Sequence, residues 1–148
     1  MHIEVLDSAF LPWQALQRYE SEVIAHDHPG KYGASAVFVG TMRDFNEGDE
    51  VCGMNLEHYP GMTEKELARI VEEAGGHWQL LDTLILHRVG TLLPNDPIVL
   101  VAVWSAHRKD AFEACRHIME ALKSRAPFWK KEQLDEGYRW VEKNTDGY

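Results

Sequence analysis

Cysteine is scarce in this 148-residue chain: only Cys52 and Cys115 occur, far apart and outside any CxxC pair. That usage excludes a disulfide framework and a cysteine zinc site, and it fits reduced thiols in a reducing compartment. Long apolar runs are also missing. The opening stretch MHIEVLDSAFLPWQAL is charged early and holds no signal-length apolar segment, and no window elsewhere approaches a membrane span. A cytoplasmic protein without a membrane partner is expected. There is no GxxxxGK(S/T), no GxGxxG behind a strand and no GxSxG, so a phosphate-cradling loop and a nucleophile elbow have no support. His26 and His28 lie two residues apart, but HDHPG reads as a polar turn and no acidic or cysteine cluster completes a ligand set. Neither a metal nor a cofactor is expected.

Positive charge is in deficit, with 15 Lys and Arg against 24 Asp and Glu. Its distribution is uneven. Residues 107–131 carry seven cations and three anions, leaving eight and twenty-one for the rest. Cations concentrated against the overall sign point to a local anionic ligand; a net charge of −9 and the lack of a continuous basic stripe argue against nucleic acid.

With 45% hydrophobic residues the chain is long enough to bury a sizeable core in one domain. Residues 2–6 read as a strand, Pro12 opens a helix to about His26, and 34–42 and 52–58 read as strands joined by an exposed loop into a hairpin. Tyr59-Pro60-Gly61 suits a turn. Thr63 with Glu66 forms a capping-box pattern for a helix that Gly75-Gly76 should stop. Runs 80–89 and 98–104 read as strands around the turn LLPNDP. Ser105 is the expected N-cap of a last helix, whose stripe Ala111, Cys115, Ile118 and Leu122 faces the core and which Pro127 ends. The order is βαββαββα, an α+β pattern.

Lys123 falls in the last turn of that helix and Lys130 on the segment after it, so two elements can bring them to one pocket. His107 and Arg108 fall in the first turn, where free backbone N–H groups favour an anion such as phosphate. Each has a plainer reading. Lysines at helix C-termini are usually solvated complements of the dipole, Arg43 behind a strand is commonly a loop residue, and of Phe128 and Trp129 at least one should anchor the core. Residue types alone leave three classes open: an enzyme, a non-catalytic module for a phosphate ligand or nucleic acid, and a Schiff-base enzyme using Lys123 or Lys130.

Four blocks narrow the choice. LEHYPGMTEKELARIVEEA (56–74), HRVGTLLPND (87–96), SAHRKDAFEACRHIMEALKSRAPFWKKE (105–132) and EGYRWVE (136–142), with GTMRDFN (40–46) before them, resemble the large, catalytic subunit of molybdopterin synthase in order and spacing across nearly the whole chain. The resemblance implies one domain over 1–148 with an α/β hammerhead fold, and a central homodimer with a small ubiquitin-like carrier subunit at each end of a heterotetramer. It implies a sulfurtransferase of molybdenum cofactor biosynthesis. Sulfur passes from the carrier's Gly-Gly thiocarboxylate to cyclic pyranopterin monophosphate, twice, forming the dithiolene of molybdopterin. The chain ends in Thr-Asp-Gly-Tyr and so takes the acceptor role. Matching positions make Lys123 and Lys130 the catalytic lysines. Thr41, Met42, Arg43, His107, Arg108, Lys131 and Glu132 join them as substrate-binding residues, with Glu132 orienting Lys130 or meeting the pterin's donors. Met42 replaces a more usual Val, a change of packing. After Glu142 the chain has Lys143 and Asn144 and stops at Tyr148, where relatives often continue with further basic residues.

Overall fold

The apolar run around residues 98–104 becomes β7 (Pro97–Ser105), buried from Val99 onward. Its continuous hydrophobicity follows from covering both faces, since side chains alternate across a sheet. In the computed structural model, which describes residues 1–46, 48–134 and 137–141, Val99, Val101 and Val103 enter one core while Leu100, Ala102 and Trp104 enter another. The strand lies inside a sheet ordered β1 (His2–Leu6), β5 (Asp82–Arg88), β7 and β2 (Ala34–Thr41), with β1 parallel to β5 and the other pairs antiparallel.

Helices cover both faces. On the valine side lie α3 (Met62–His77) and α4 (Arg108–Arg125), joined to the sheet through Leu67, Ile70, Ala74, Ile118 and Leu122. Burying each of these leucine and isoleucine side chains contributes about 1.5–3 kcal/mol, which anchors the helix ends as well as their middles. On the other face lie α1 (Pro12–Tyr19), a π-helical turn over Glu20–Ile24 and the short α2 (Ala25–Asp27).

A second sheet runs β3 (Phe45–Asn46), β4 (Asp49–His58), β8 (Phe128–Leu134), β9 (Gly137–Trp140), with β6 (Gly90–Leu92) also on β4. Met42, Val51, Met54, Leu56, Val89 and Leu92 form its core. The fold is α+β, as expected.

Several local expectations are corrected. The strand of residues 34–41 does not form a hairpin with β4: it pairs with β7, whereas β4 pairs with β3, β6 and β8. A register shift at Gly40/Thr41 turns the chain out of the first sheet, and the Met42 N–H then bonds the Asp96 carbonyl at 2.9 Å. The expected loop is shorter, since β3 and the start of β4 lie within it. Helix α3 is capped from Gly61, whose N–H donates to the Glu64 carboxylate at 2.5 Å. Thr63 is instead a buried tie that accepts the Tyr59 N–H and donates to the Pro127 carbonyl, each at 3.0 Å. Gly75 and Gly76 do not stop α3, because two helical glycines cost roughly 1 kcal/mol each and the buried stripe through Ala74 outweighs that. Ser105 closes β7 and donates to the Gln79 carbonyl at 2.8 Å, so the N-cap of α4 is His107. Beyond Pro127, the strands β8 and β9 extend the expected order.

Candidate functional site

A cavity of about 380 Å³ opens where the two sheets and α4 meet. The end of β2 brings Gly40, Thr41, Met42 and Arg43 to its wall, α4 brings Met119 and Lys123, and β8 brings Lys130 and Glu132. A side-chain carbon at Gly40 would stand 2.9 Å from Val99 Cγ1 and 3.2 Å from Phe38 Cε1, so only glycine lets this wall close against β7.

Behind that wall, HRVGTLLPND folds into a brace. Arg88 donates to the Asp96 carboxylate at 3.3 Å and to the Thr91 carbonyl at 2.9 Å, and Asp96 accepts the Leu93 N–H at 2.9 Å. Asn95, at φ 74°, donates its N–H to the Met42 carbonyl at 2.8 Å. The turn thus grips Met42 at both backbone groups. Arg43 follows with its guanidinium 4.8 Å above the Phe45 ring.

Lys123 and Lys130 are brought together as expected from their two elements. Burial, then the adjoining Lys123 charge and hydrogen bond, press the Lys130 pKa down to about 7, with Arg43 adding to the effect and Glu132 opposing it. A lysine at that value exchanges its proton near neutrality. It can serve as acid and base in one cycle.

Glu132 is 4% exposed and both its oxygens are engaged. Asn46 Nδ2 donates to one oxygen, and Arg139 donates to the other through Nε at 3.3 Å and Nη2 at 3.1 Å. Arg139 also donates to Asp49 at 2.6 Å and to the Asn46 carbonyl at 2.8 Å. Glu132 therefore fastens the β3–β4 loop and β9 to β8, and acts on Lys130 through its charge. Neither Asn46 nor Arg139 stood out as a site residue in the sequence. The signal available was the presence of both within the GTMRDFN and EGYRWVE blocks.

Other expected site residues lie elsewhere. Lys131 alternates to the outer face of β8, its ammonium 4.9 Å from the Tyr138 ring and 5.6 Å from that of Trp140. His107 and Arg108 are exposed at the N-terminal end of α4, roughly 22 Å along the helix from Lys123. One chain does not bring them to the cavity. Phe128 packs into the core and Trp129 stays 47% exposed. The tail 142–148 lies outside the described residues.

A model of the family described as MoaE protein matches residues 14–125. The chain belongs to the MoaE family. A molybdopterin synthase catalytic subunit from Pseudomonas aeruginosa is 54% identical over 142 residues, 96% of this chain and 91% of that protein. Among solved structures, a molybdopterin biosynthesis MoaE protein from Burkholderia ambifaria MC40-6 superposes with a TM-score of 0.77 at 46% identity, covering 95% of this chain and 88% of the other. Molybdopterin synthase from Staphylococcus aureus gives a TM-score of 0.82 at 33% identity, with 95% and 97% covered. Among the described residues, no helix is long and apolar enough to cross a membrane.

Proposed function

We propose that this MoaE-family chain is the catalytic subunit of molybdopterin synthase and that the Lys123–Lys130 cavity is its active site. The carrying observation is that pair: two amines from separate elements, one held near pKa 7, beside Arg43 in a cavity of about 380 Å³. The carrier's Gly-Gly tail has no side chains to obstruct its entry. Its thiocarboxylate sulfur attacks the pterin carbon as the carbon–oxygen bond there breaks, Lys123 stabilises the negative charge that develops, and Lys130 gives its proton to the departing oxygen; the neutral Lys130 amine then takes a proton from the water that cleaves the acyl–sulfur bond, leaving sulfur on the pterin and the carrier as a carboxylate. Two such rounds form the dithiolene from cyclic pyranopterin monophosphate.

The substrate's phosphate is an anion, and Arg43 offers directed guanidinium donors at the cavity wall. His107 and Arg108 act in binding as members of a homodimer, in which a second copy supplies them to a pocket that their own chain keeps them from. Thr41 and Met42 present the strand end. Lys131 acts from the outer face of β8. The protein works in the cytoplasm, in keeping with a chain that holds only two cysteines, far apart in the sequence.

The test is reconstitution with a thiocarboxylated carrier and cyclic pyranopterin monophosphate. Dithiolene product that requires all three components is the expected result. A folded, carrier-binding protein that yields no product would overturn the assignment.

A further inference from the structure

We propose that His87 is a positioning residue for the lysine pair: its uncharged ring, wedged between the Arg88 carbonyl and the Phe128 ring, fixes the strand carrying Lys130 against Lys123. The catalytic consequence rests on the active-site reading above, whereas the placement itself does not. His87 is 5% exposed and shares the helix-facing side of β5 with Ile85, two residues before it. Its Nδ1 lies 2.9 Å from the Arg88 carbonyl oxygen. A carbonyl only accepts, so Nδ1 carries the hydrogen and the ring's orientation is locked.

The ring stacks on Phe128 with centroids 3.9 Å apart and planes 14° from parallel. Phe128 and Lys130 are two residues apart on β8 and so point to the same side, which makes the stack a restraint on the strand segment from which Lys130 projects. Three titratable groups face the imidazole: Lys123 from α4, Lys130 from β8 and His58 from β4, the last 3.5 Å from Glu64. Burial above all pushes the His87 pKa down to about 3; the Arg88 carbonyl, the next largest influence, opposes it, and Lys123, Lys130 and His58 each add a smaller downward push. A third cation beside the lysines is thereby avoided, while water is kept from the amine. Lys130 is itself faced by Lys123, Arg43 and Glu132, and burial is the largest influence on its charge, so the packing that the His87 wedge sustains bears on its proton.

This explains the residue type. Alanine would admit water, and phenylalanine would fill the space but take away the donor that His87 offers the part-buried Arg88 carbonyl.

The test measures the pH midpoint of Lys130 acylation by trace acetic anhydride, read by mass spectrometry on the full chain. It needs no sulfur transfer, so its outcome is separate from that of the catalytic assignment. In His87→Ala the midpoint should rise by about one to two pH units, and in His87→Phe it should stay within about half a unit of the parent. Phe128→Leu removes the stack from the other side and should raise it as His87→Ala does; it also serves if His87→Ala does not fold. A parental midpoint in folded His87→Ala or Phe128→Leu overturns the proposal, as does a rise in His87→Phe equal to that in His87→Ala.

Discussion

Lys130, on the first strand after α4, adjoins Lys123 in that helix's last turn, and the contact leaves the Lys130 ammonium short of water and beside a like charge. Its pKa of about 7 gives the reaction a pH signature. Single-turnover sulfur transfer should increase with pH through a midpoint near 7 if the neutral Lys130 amine takes the proton in the limiting step. Lys123→Ala should lower the rate on the order of 10²–10⁴-fold and move the residual midpoint upward, because the neighbouring charge is gone while burial stays. A folded Lys123→Ala protein with near-parental turnover would remove Lys123 from the mechanism.

The same depressed pKa makes Lys130 a cost to folding. The unfolded chain holds this proton up to the ordinary lysine value of 10.5 and the folded chain releases it near 7. Between those values the unfolded state binds more protons, so this group's contribution to stability rises with pH, and its penalty is largest at and below pH 7. Lys130→Met should therefore raise the unfolding midpoint at pH 6 and raise it less at pH 9. Urea titrations at the two pH values check this; an equal gain at both would mean that the lysine is not held at a depressed value. His87 adds the same sign at lower pH, with stability lost as pH falls from 6.5 toward about 3.

How far these features could be read from residues alone depends on whether patterning or tertiary contact decided them. The stripe of α4 and the doubly buried run of β7 were legible, because burial imposes the periods directly. Strand β8 was not: FWKKEQL alternates, but Lys130 and Glu132 occupy its inward face, where a sequence reading looks for apolar residues. The convergence of Lys123 and Lys130 was legible from the helix stop at Pro127. The distance from His107 and Arg108 to that pair was readable from the rise of one helix. The joint use proposed for them in a single pocket calls for a second chain, which no spacing within one chain reveals.

That dependence gives a complementation experiment. Lys123→Ala and Arg108→Ala chains should each be impaired alone. If subunits exchange, a hybrid dimer has one pocket combining an intact Lys123 with the other copy's Arg108. Random mixing should then restore about a quarter of parental activity, half of the dimers being hybrids with one good site each. Mixtures no more active than the average of the two variants, despite demonstrated exchange, would exclude supply of Arg108 across the dimer.

Arg43 and Arg108 should also be separable from the carrier. Either change to Ala should weaken pterin binding by roughly ten- to a hundredfold, the scale of one or two charged hydrogen bonds, with carrier affinity little changed. Calorimetric titration of each partner distinguishes this from general damage, in which both affinities fall together.

The clamp around Glu132 is the remaining case. Arg139 reaches Glu132, Asp49 and the Asn46 carbonyl at once, so one guanidinium ties β9 and the β3–β4 loop to the strand bearing Lys130. Losing it frees the loop locally without exposing a core, since Met42 remains gripped by Asn95 and Asp96 from the other side. In Arg139→Ala, amide exchange of the segment containing Val51, whose N–H bonds the Asp44 carbonyl at 2.7 Å, should accelerate by about tenfold or more while α4 exchanges as before. Peptide-resolved hydrogen exchange reads both segments together. Unchanged protection around Val51 would show that β4 holds the loop without Arg139, and equal acceleration in α4 would show that the substitution loosens the whole fold.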